Sequence, residues 1–258
     1  MQQTLEKLRD LKLGGFVAGL LEQSQSKHYQ DLAFEERLGF LVERECSRRE
    51  NLRLATRLRK AKLKQAATLD QVDFTVPRGL LKTKFLELAQ CQWVQNCHNL
   101  VLLGPTGVGK SFLACVLGDQ ACKLGYAVKY IKTQQLLSDL LQARADGSFS
   151  TLWRQLSKFS LLIIDEWLRD PLSQVDAREI LDLLDERYRK ASCLFATQLP
   201  IVDWYRYFAD PTLADAILDR VVHDSLRTEL QGESMRKLTS NIKDSEKTGK
   251  TSLRSDKH

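Results

Sequence analysis

No stretch of this 258-residue chain approaches the ~20 uninterrupted apolar residues that a bilayer-spanning helix requires. The opening residues, Met1-Gln-Gln-Thr-Leu-Glu-Lys7, contain no apolar run followed by a small-residue cleavage site, so no secretory leader is expected. The six cysteines, at positions 46, 91, 97, 115, 122 and 193, form no Cys-x-x-Cys pair and no zinc spacing. His98 beside Cys97 makes one ligand pair at most. Reduced, mostly buried thiols in a cytoplasmic protein are the expectation. No internal repeat is visible. What is there is a chain with 43% apolar and 28% charged residues, enough to bury a core and ordinary in charge. Its length suits one full-sized domain with a smaller appendage. Membrane protein, disulfide scaffold and disordered chain are excluded.

The net charge of +6 is unevenly spread. Residues 1–64 carry 14 Lys/Arg against 9 Asp/Glu, and residues 236–258 carry 7 against 3, while 65–235 carries 18 against 21. An acidic-leaning body with basic ends points to a polyanionic partner, nucleic acid first. Residues 1–64 read as helical. Leu5, Leu8, Leu11 and Leu13 open the pattern, and Gly14-Gly15 is expected to break it. From Leu32 to about Lys64 there is no proline, a single glycine (Gly39) and a wealth of helix formers. Arg49, Arg53, Arg57, Lys60 and Lys64 are spaced to share one basic face, with Leu54, Leu58 and Ala61 on another side. Such a face is either a solvated surface partnered by Glu43, Glu45 and Glu50, or a stripe that tracks phosphates or docks a protein.

Residues 65–98 read as a connector ending in a helix-like stretch. Strand and helix then alternate, the pattern of a parallel sheet with helices on both faces, an α/β fold. Strands are expected at Asn99–Leu103, Ala127–Ile131, Leu161–Asp165 and Cys193–Thr197. Helices are expected at Lys110–Leu124, Gln134–Arg144, Val175–Lys190, Ala214–Asp224 and Ser234–Asn241. Beyond Lys243 the chain is polar, and disorder is expected.

Gly104-Pro105-Thr106-Gly107-Val108-Gly109-Lys110-Ser111 fits the phosphate-loop pattern G-x-x-x-x-G-K-[ST]. The glycines let backbone N–H groups turn inward around phosphate oxygens, and the following helix, entered through Phe112, points its positive end at the same anion. Lys110 is placed to reach the β- and γ-phosphates of ATP, and the Ser111 hydroxyl to hold Mg²⁺. Leu161-Leu-Ile-Ile-Asp165-Glu166 ends an apolar strand in two carboxylates, at the sheet edge where ligands bind in open α/β folds. Asp165 suits the Mg²⁺ shell, leaving Glu166 to orient or polarise an attacking water, which favours hydrolysis over transfer. Gln198, after Cys193–Thr197, is either a plain strand end or a γ-phosphate sensor. Arg220 and Arg236, read singly, are surface salt-bridge residues.

These motifs, with Phe74-Thr-Val-Pro-Arg-Gly-Leu80, Leu213–His223 and Leu230–Arg236, make a chain that resembles the IstB family of transposition helper ATPases. That family is related to DnaC-type helicase loaders among AAA+ proteins, and the likeness runs from about Leu5 to Ile242. The resemblance implies a helical N-terminal domain at 1–66, an AAA+ ATPase domain with a three-layer αβα core at 67–242, and a disordered basic tail at 243–258. It implies that strand 193–197 lies between the phosphate-loop strand and the strand bearing Asp165. It implies Arg220 as an arginine finger reaching a neighbouring subunit's ATP, and Arg236 as a second sensor. It also implies ATP-dependent homo-oligomers on double-stranded DNA that present this target to a cognate transposase, with hydrolysis as the switch. A DnaC-like replicative helicase loader is the alternative, separated by strand preference. Two positions depart from the family pattern: Trp167 after the carboxylate pair, which is expected to crowd the site, and Gln198 where asparagine is frequent.

Overall fold

The structure is a computed structural model that describes residues 1–29, 31–223 and 225–235. The helix expected at 234–241 lies almost wholly outside them, as do Arg236 and the tail from 243. Two compact units divide after Arg59, so the expected boundary at 66 falls inside the second. Among the described residues no helix is long and apolar enough to cross a membrane.

In the first unit, α1 (Gln2–Asp10) ends as Lys12 turns left-handed, and α2 (Gly14–Gln25) follows at once. Gly14-Gly15 therefore begins a helix instead of breaking one. The reason is close packing against α3 (Phe34–Ala61). A methyl group on Gly15 would lie 2.6 Å from the Glu45 Cα, and one on Gly19 would lie 2.5 Å from the Leu41 Cδ2. The Gly15 N–H donates to Glu45 Oε2 at 2.6 Å, and Arg49 Nε donates to Oε1 at 2.7 Å. The Arg49 bond first, then the Gly15 amide, hold the Glu45 carboxyl below its ordinary pKa. The basic face of α3 is largely matched: Arg53 and Arg57 lie 3.8 and 2.5 Å from Glu50. Lys64 is not on it, because the helix stops at Ala61 and Lys62 turns left-handed.

The second unit is a five-stranded, wholly parallel sheet: β1 (Asn99–Leu103), β2 (Val128–Lys132), β3 (Leu161–Asp165), β4 (Ser192–Thr197) and β5 (Ser225–Glu229), in the order β2-β3-β4-β1-β5. As the resemblance implied, β4 sits between β1 and β3, pairing Leu102 with Ala196 and Asp165 with Ala196. All of β3 and β4 is buried, as parallel strands covered on both faces must be. On one face lies α6 (Lys110–Lys123), pressed so close that a methyl on Gly118 would meet Ile163 Cδ1 at 2.8 Å. On the other, Leu162, Ile164 and Phe195 join one apolar cluster with α7 (Thr133–Ala145), α8 (Phe149–Ser157), α9 (Gln174–Arg187) and α10 (Pro211–Val222). The connector carries two short helices, α4 (Lys82–Ala89) and α5 (Gln92–Gln95).

The expected strands and the helices within the described residues are present, with ends shifted by a few residues. Helix α8 and strand β5 were not expected. Strand β5 is polar (Ser-Leu-Arg-Thr-Glu) and lies at the sheet edge, where one neighbour is enough and no apolar run is demanded.

Replacing Gly15 with valine should overpack the α2–α3 crossing and cost about 2 kcal/mol. A circular-dichroism melt of the variant should show a transition several degrees lower.

Candidate nucleotide site

The phosphate loop leaves β1 at Gly104 and enters α6 at Lys110, at the carboxyl-terminal edge of the sheet. Gly107 and Gly109 sit at φ 86° and 106°, conformations that side chains resist. Space forbids side chains there too. A methyl on Gly109 would stand 2.8 Å from Arg78 Nη1, and one on Gly107 would strike Ser234. The Met235 N–H donates to the Gly107 carbonyl at 2.9 Å, so the segment leading to Arg236 lies over the loop. Arg236 itself is outside the described residues.

A cavity of about 790 Å³ opens on the loop, lined by Thr106, Gly107, Lys110, Ser111, Phe112, Asp165, Glu166 and Gln198, and by Lys64, Arg78 and Arg169. Lys110 Nζ donates to the carbonyls of Gly104 and Pro105, at 2.6 and 2.8 Å. Burial pulls its ammonium below the ordinary pKa, an effect the nearby Asp165 charge opposes. Ser111 Oγ donates to Asp165 Oδ2 at 2.7 Å, bringing together the two oxygens expected to hold a metal. Two hard oxygen donors at one end of a phosphate loop fit a small divalent cation such as Mg²⁺. Thr106 Oγ1 donates to Gln198 Oε1, which ties the tip of β4 to the loop.

Asp165 is only 2% exposed. Tyr130 OH also donates to its Oδ2, and the Glu166 N–H donates to Oδ1 at 2.9 Å. Burial, then this bond to the carboxylate, raises the Tyr130 phenol well above its ordinary pKa. Glu166 occupies the left-handed region (φ 58°) and sits between two cations. Lys132 Nζ is 2.6 Å from Oε1, and Arg169 Nη1 is 2.7 Å from Oε2. Trp167 lines the same cavity, as its place after the carboxylate pair led us to expect. Its ring is fully buried, against Phe195 and Trp204, because the left-handed turn at Glu166 aims it into the core.

Behind the loop lies Arg78, also 2% exposed. Its Nη1 donates to the Val108 carbonyl at 3.3 Å and its Nη2 to the Asp73 carbonyl at 2.9 Å. Burial lowers its pKa, against the pull of Asp73. Its Nε is buried and has no hydrogen-bond partner among the described residues. The motif 74–80 flagged this residue by position but not by role. Tyr130, Lys132 and Arg169 carried no signal and Lys64 was read only as part of a basic helix face, because each reaches the site through the fold and not through a motif.

Arg220 is elsewhere. Its Nε pairs with Asp185, its Nη1 donates to the Ala216 carbonyl at 2.8 Å, and its own carbonyl accepts from Asn99 Nδ2 at 3.0 Å. Asn99 starts β1 whereas the phosphate loop follows its end, so Arg220 and Lys110 lie at opposite edges of the sheet. Arg220 lines a second cavity of about 410 Å³ with His98, Arg187 and Arg189.

With this geometry in place, comparison with known proteins decides the family. The description "IstB-like ATP binding protein" matches residues 6–242. The chain belongs to the IstB-like ATP-binding protein family. A relative from Sinorhizobium fredii, named as the insertion sequence ATP-binding protein y4pL, is 40% identical over 234 residues, covering 91% of this chain and 96% of the relative. The ATP-binding protein of insertion sequence IS21 from Pseudomonas aeruginosa is 34% identical, covering 92% of this chain and 88% of its own. The crystal structure of DnaI superposes with a TM-score of 0.56 at 18% identity, covering 64% of this chain and 90% of DnaI. The IstB-like chain thus has the AAA+ fold, and its ATP-binding character agrees with the cavity above.

Replacing Lys110 with alanine should remove the cation from the loop while sparing the buried sheet. Binding of a fluorescent ATP analogue should be lost at concentrations that saturate the parent protein.

Proposed function

We propose that this IstB-like chain hydrolyses ATP, assembles into homo-oligomers on double-stranded DNA, and presents that DNA to a cognate transposase. The observation that carries the reading is the convergence of Lys110, Ser111, Asp165 and Glu166 on one cavity, in a chain whose relatives are named for insertion sequences. In this reading Gly104–Phe112 cradles the phosphates, Lys110 neutralises the β/γ pair, and Ser111 and Asp165 hold Mg²⁺. Bound there, the metal supplies charge that screens the phosphate oxygens. Glu166 orients the water whose oxygen bonds to the γ-phosphorus as the bond to the β-phosphate oxygen breaks, giving ADP and inorganic phosphate. Both Glu166 oxygens are engaged by Lys132 and Arg169, so in this reading turnover requires one of these ion pairs to give way to the attacking water. Gln198, tied to Thr106, is positioned to report the terminal phosphate to β4.

Arg220 supports the assembly part of the reading. It cannot reach its own chain's phosphate loop, yet it stands half-exposed at the other edge of the sheet, where a second copy has access to it. An arginine so placed acts between subunits and makes the site complete only in an oligomer. The exposed arginines of α3 favour a duplex partner, though Glu45 and Glu50 reduce their net charge. Arg236 is assigned the second sensor position on the resemblance alone.

Glu166→Gln should bind ATP with near-parental affinity but turn over slowly, trapping large particles on duplex DNA. Arg220→Ala should bind ATP and lose turnover by about 10³-fold. A coupled phosphate-release assay, with particle masses counted in ATP and ADP, checks both. Normal hydrolysis by Arg220→Ala would remove the intersubunit role. A preference for single-stranded DNA would move the reading to a helicase loader.

A further inference from the structure

Lys64, expected on the basic face of the long helix, lies instead in the nucleotide cavity. Helix α3 stops at Ala61, and the turn at Lys62 brings the chain alongside α6, where Leu63 meets Gly118. The Lys64 Nζ stands 3.6 Å from Asp165 Oδ2, with the lysine side chain 36% exposed and the carboxylate 3%. The same oxygen accepts from Ser111 and Tyr130. A carboxylate oxygen offers about two lone pairs. Ser111 and Tyr130 take both by hydrogen bonds, and the Lys64 ammonium stands beside them as an ion-pair partner, so a cation approaching this oxygen meets a positive charge already in place. Tyr130 is buried and cannot retreat, and Ser111 is itself placed as a metal donor. Of the three groups facing Oδ2, Lys64 has both a flexible four-carbon stem and an open route to water.

We propose that Lys64 is an internal competitor of the divalent cation. Its ammonium is the counter-charge of Asp165 when no metal is bound, and it is displaced when metal and nucleotide enter. The proposal rests on the nucleotide reading above and adds to it a built-in threshold for metal. The benefit to the metal-free protein is that a nearly buried carboxylate is never left without a cation.

The test titrates Mg²⁺ into the full chain at a fixed concentration of a fluorescent, non-hydrolysable ATP analogue, reading emission and not turnover. Lys64→Met should half-saturate at about five-fold lower Mg²⁺, the affinity equivalent of an ion pair with one exposed partner. Lys64→Arg should keep the parental midpoint, because the competing charge is retained. Without metal, Lys64→Met should also melt lower than the parent. An unchanged or higher Mg²⁺ midpoint in Lys64→Met, with analogue binding intact, overturns the competition alone. Failure of the parent to bind the analogue at any Mg²⁺ concentration overturns the nucleotide reading and the competition with it.

Discussion

A carboxylate at the end of a fully covered strand is the constraint on which this structure turns. Asp165 closes β3, which is buried along its whole length, so its charge is held nearly out of water. Such a charge is tolerated only with donors on every side. The fold supplies donors from three places, Ser111 at the start of α6, Tyr130 on β2 and the Glu166 amide beyond the strand, and adds the Lys64 ammonium from the turn after α3 as counter-charge. These donors also fix where the phosphate loop must lie, since Ser111 is its last residue. The need to satisfy one buried charge thus draws the turn after α3, two strands and the loop to a single point.

The surroundings of the loop follow the same economy. Lys110 is occupied by the carbonyls of Gly104 and Pro105, Glu166 by Lys132 and Arg169, and Gln198 by Thr106. Each group that the proposed reaction uses is already hydrogen-bonded within the protein. In the proposed reaction, phosphate and metal would exchange partners with the protein as they enter. Exchange of this kind makes binding conditional on the geometry of several elements at once, which suits a switch better than a simple store of nucleotide. Arg220 stands at the far edge of the sheet, held by Asp185 and Ala216, and bears on this site only through the second copy of the proposed assembly.

Much of this was legible in the chain itself. The phosphate loop and the strand ending in Asp165-Glu166 are read from a few residues, because glycine, lysine and paired carboxylates at that spacing serve few other purposes. The apolar strands announce themselves by being buried on both faces. Helix α8 escaped notice because it is short, and β5 because an edge strand may be polar. Gly14-Gly15 misled because glycine, a poor helix former, is there selected for the closeness of α3.

What the sequence determined by itself was the class of fold, the nucleotide-binding loop and the family, all carried by local strings of a few residues each. Only the tertiary structure decided which cations face Asp165 and Glu166, that Arg78 backs the loop, and that Arg220 stands away from its own site. Lys64 is the plainest case. Helical spacing put it on a solvent face with four other basic residues, and one left-handed residue, Lys62, turned it into the cavity. Periodicity describes neighbours along an element. It says nothing of where the chain goes once the element ends, and that is set by the packing of parts distant in sequence.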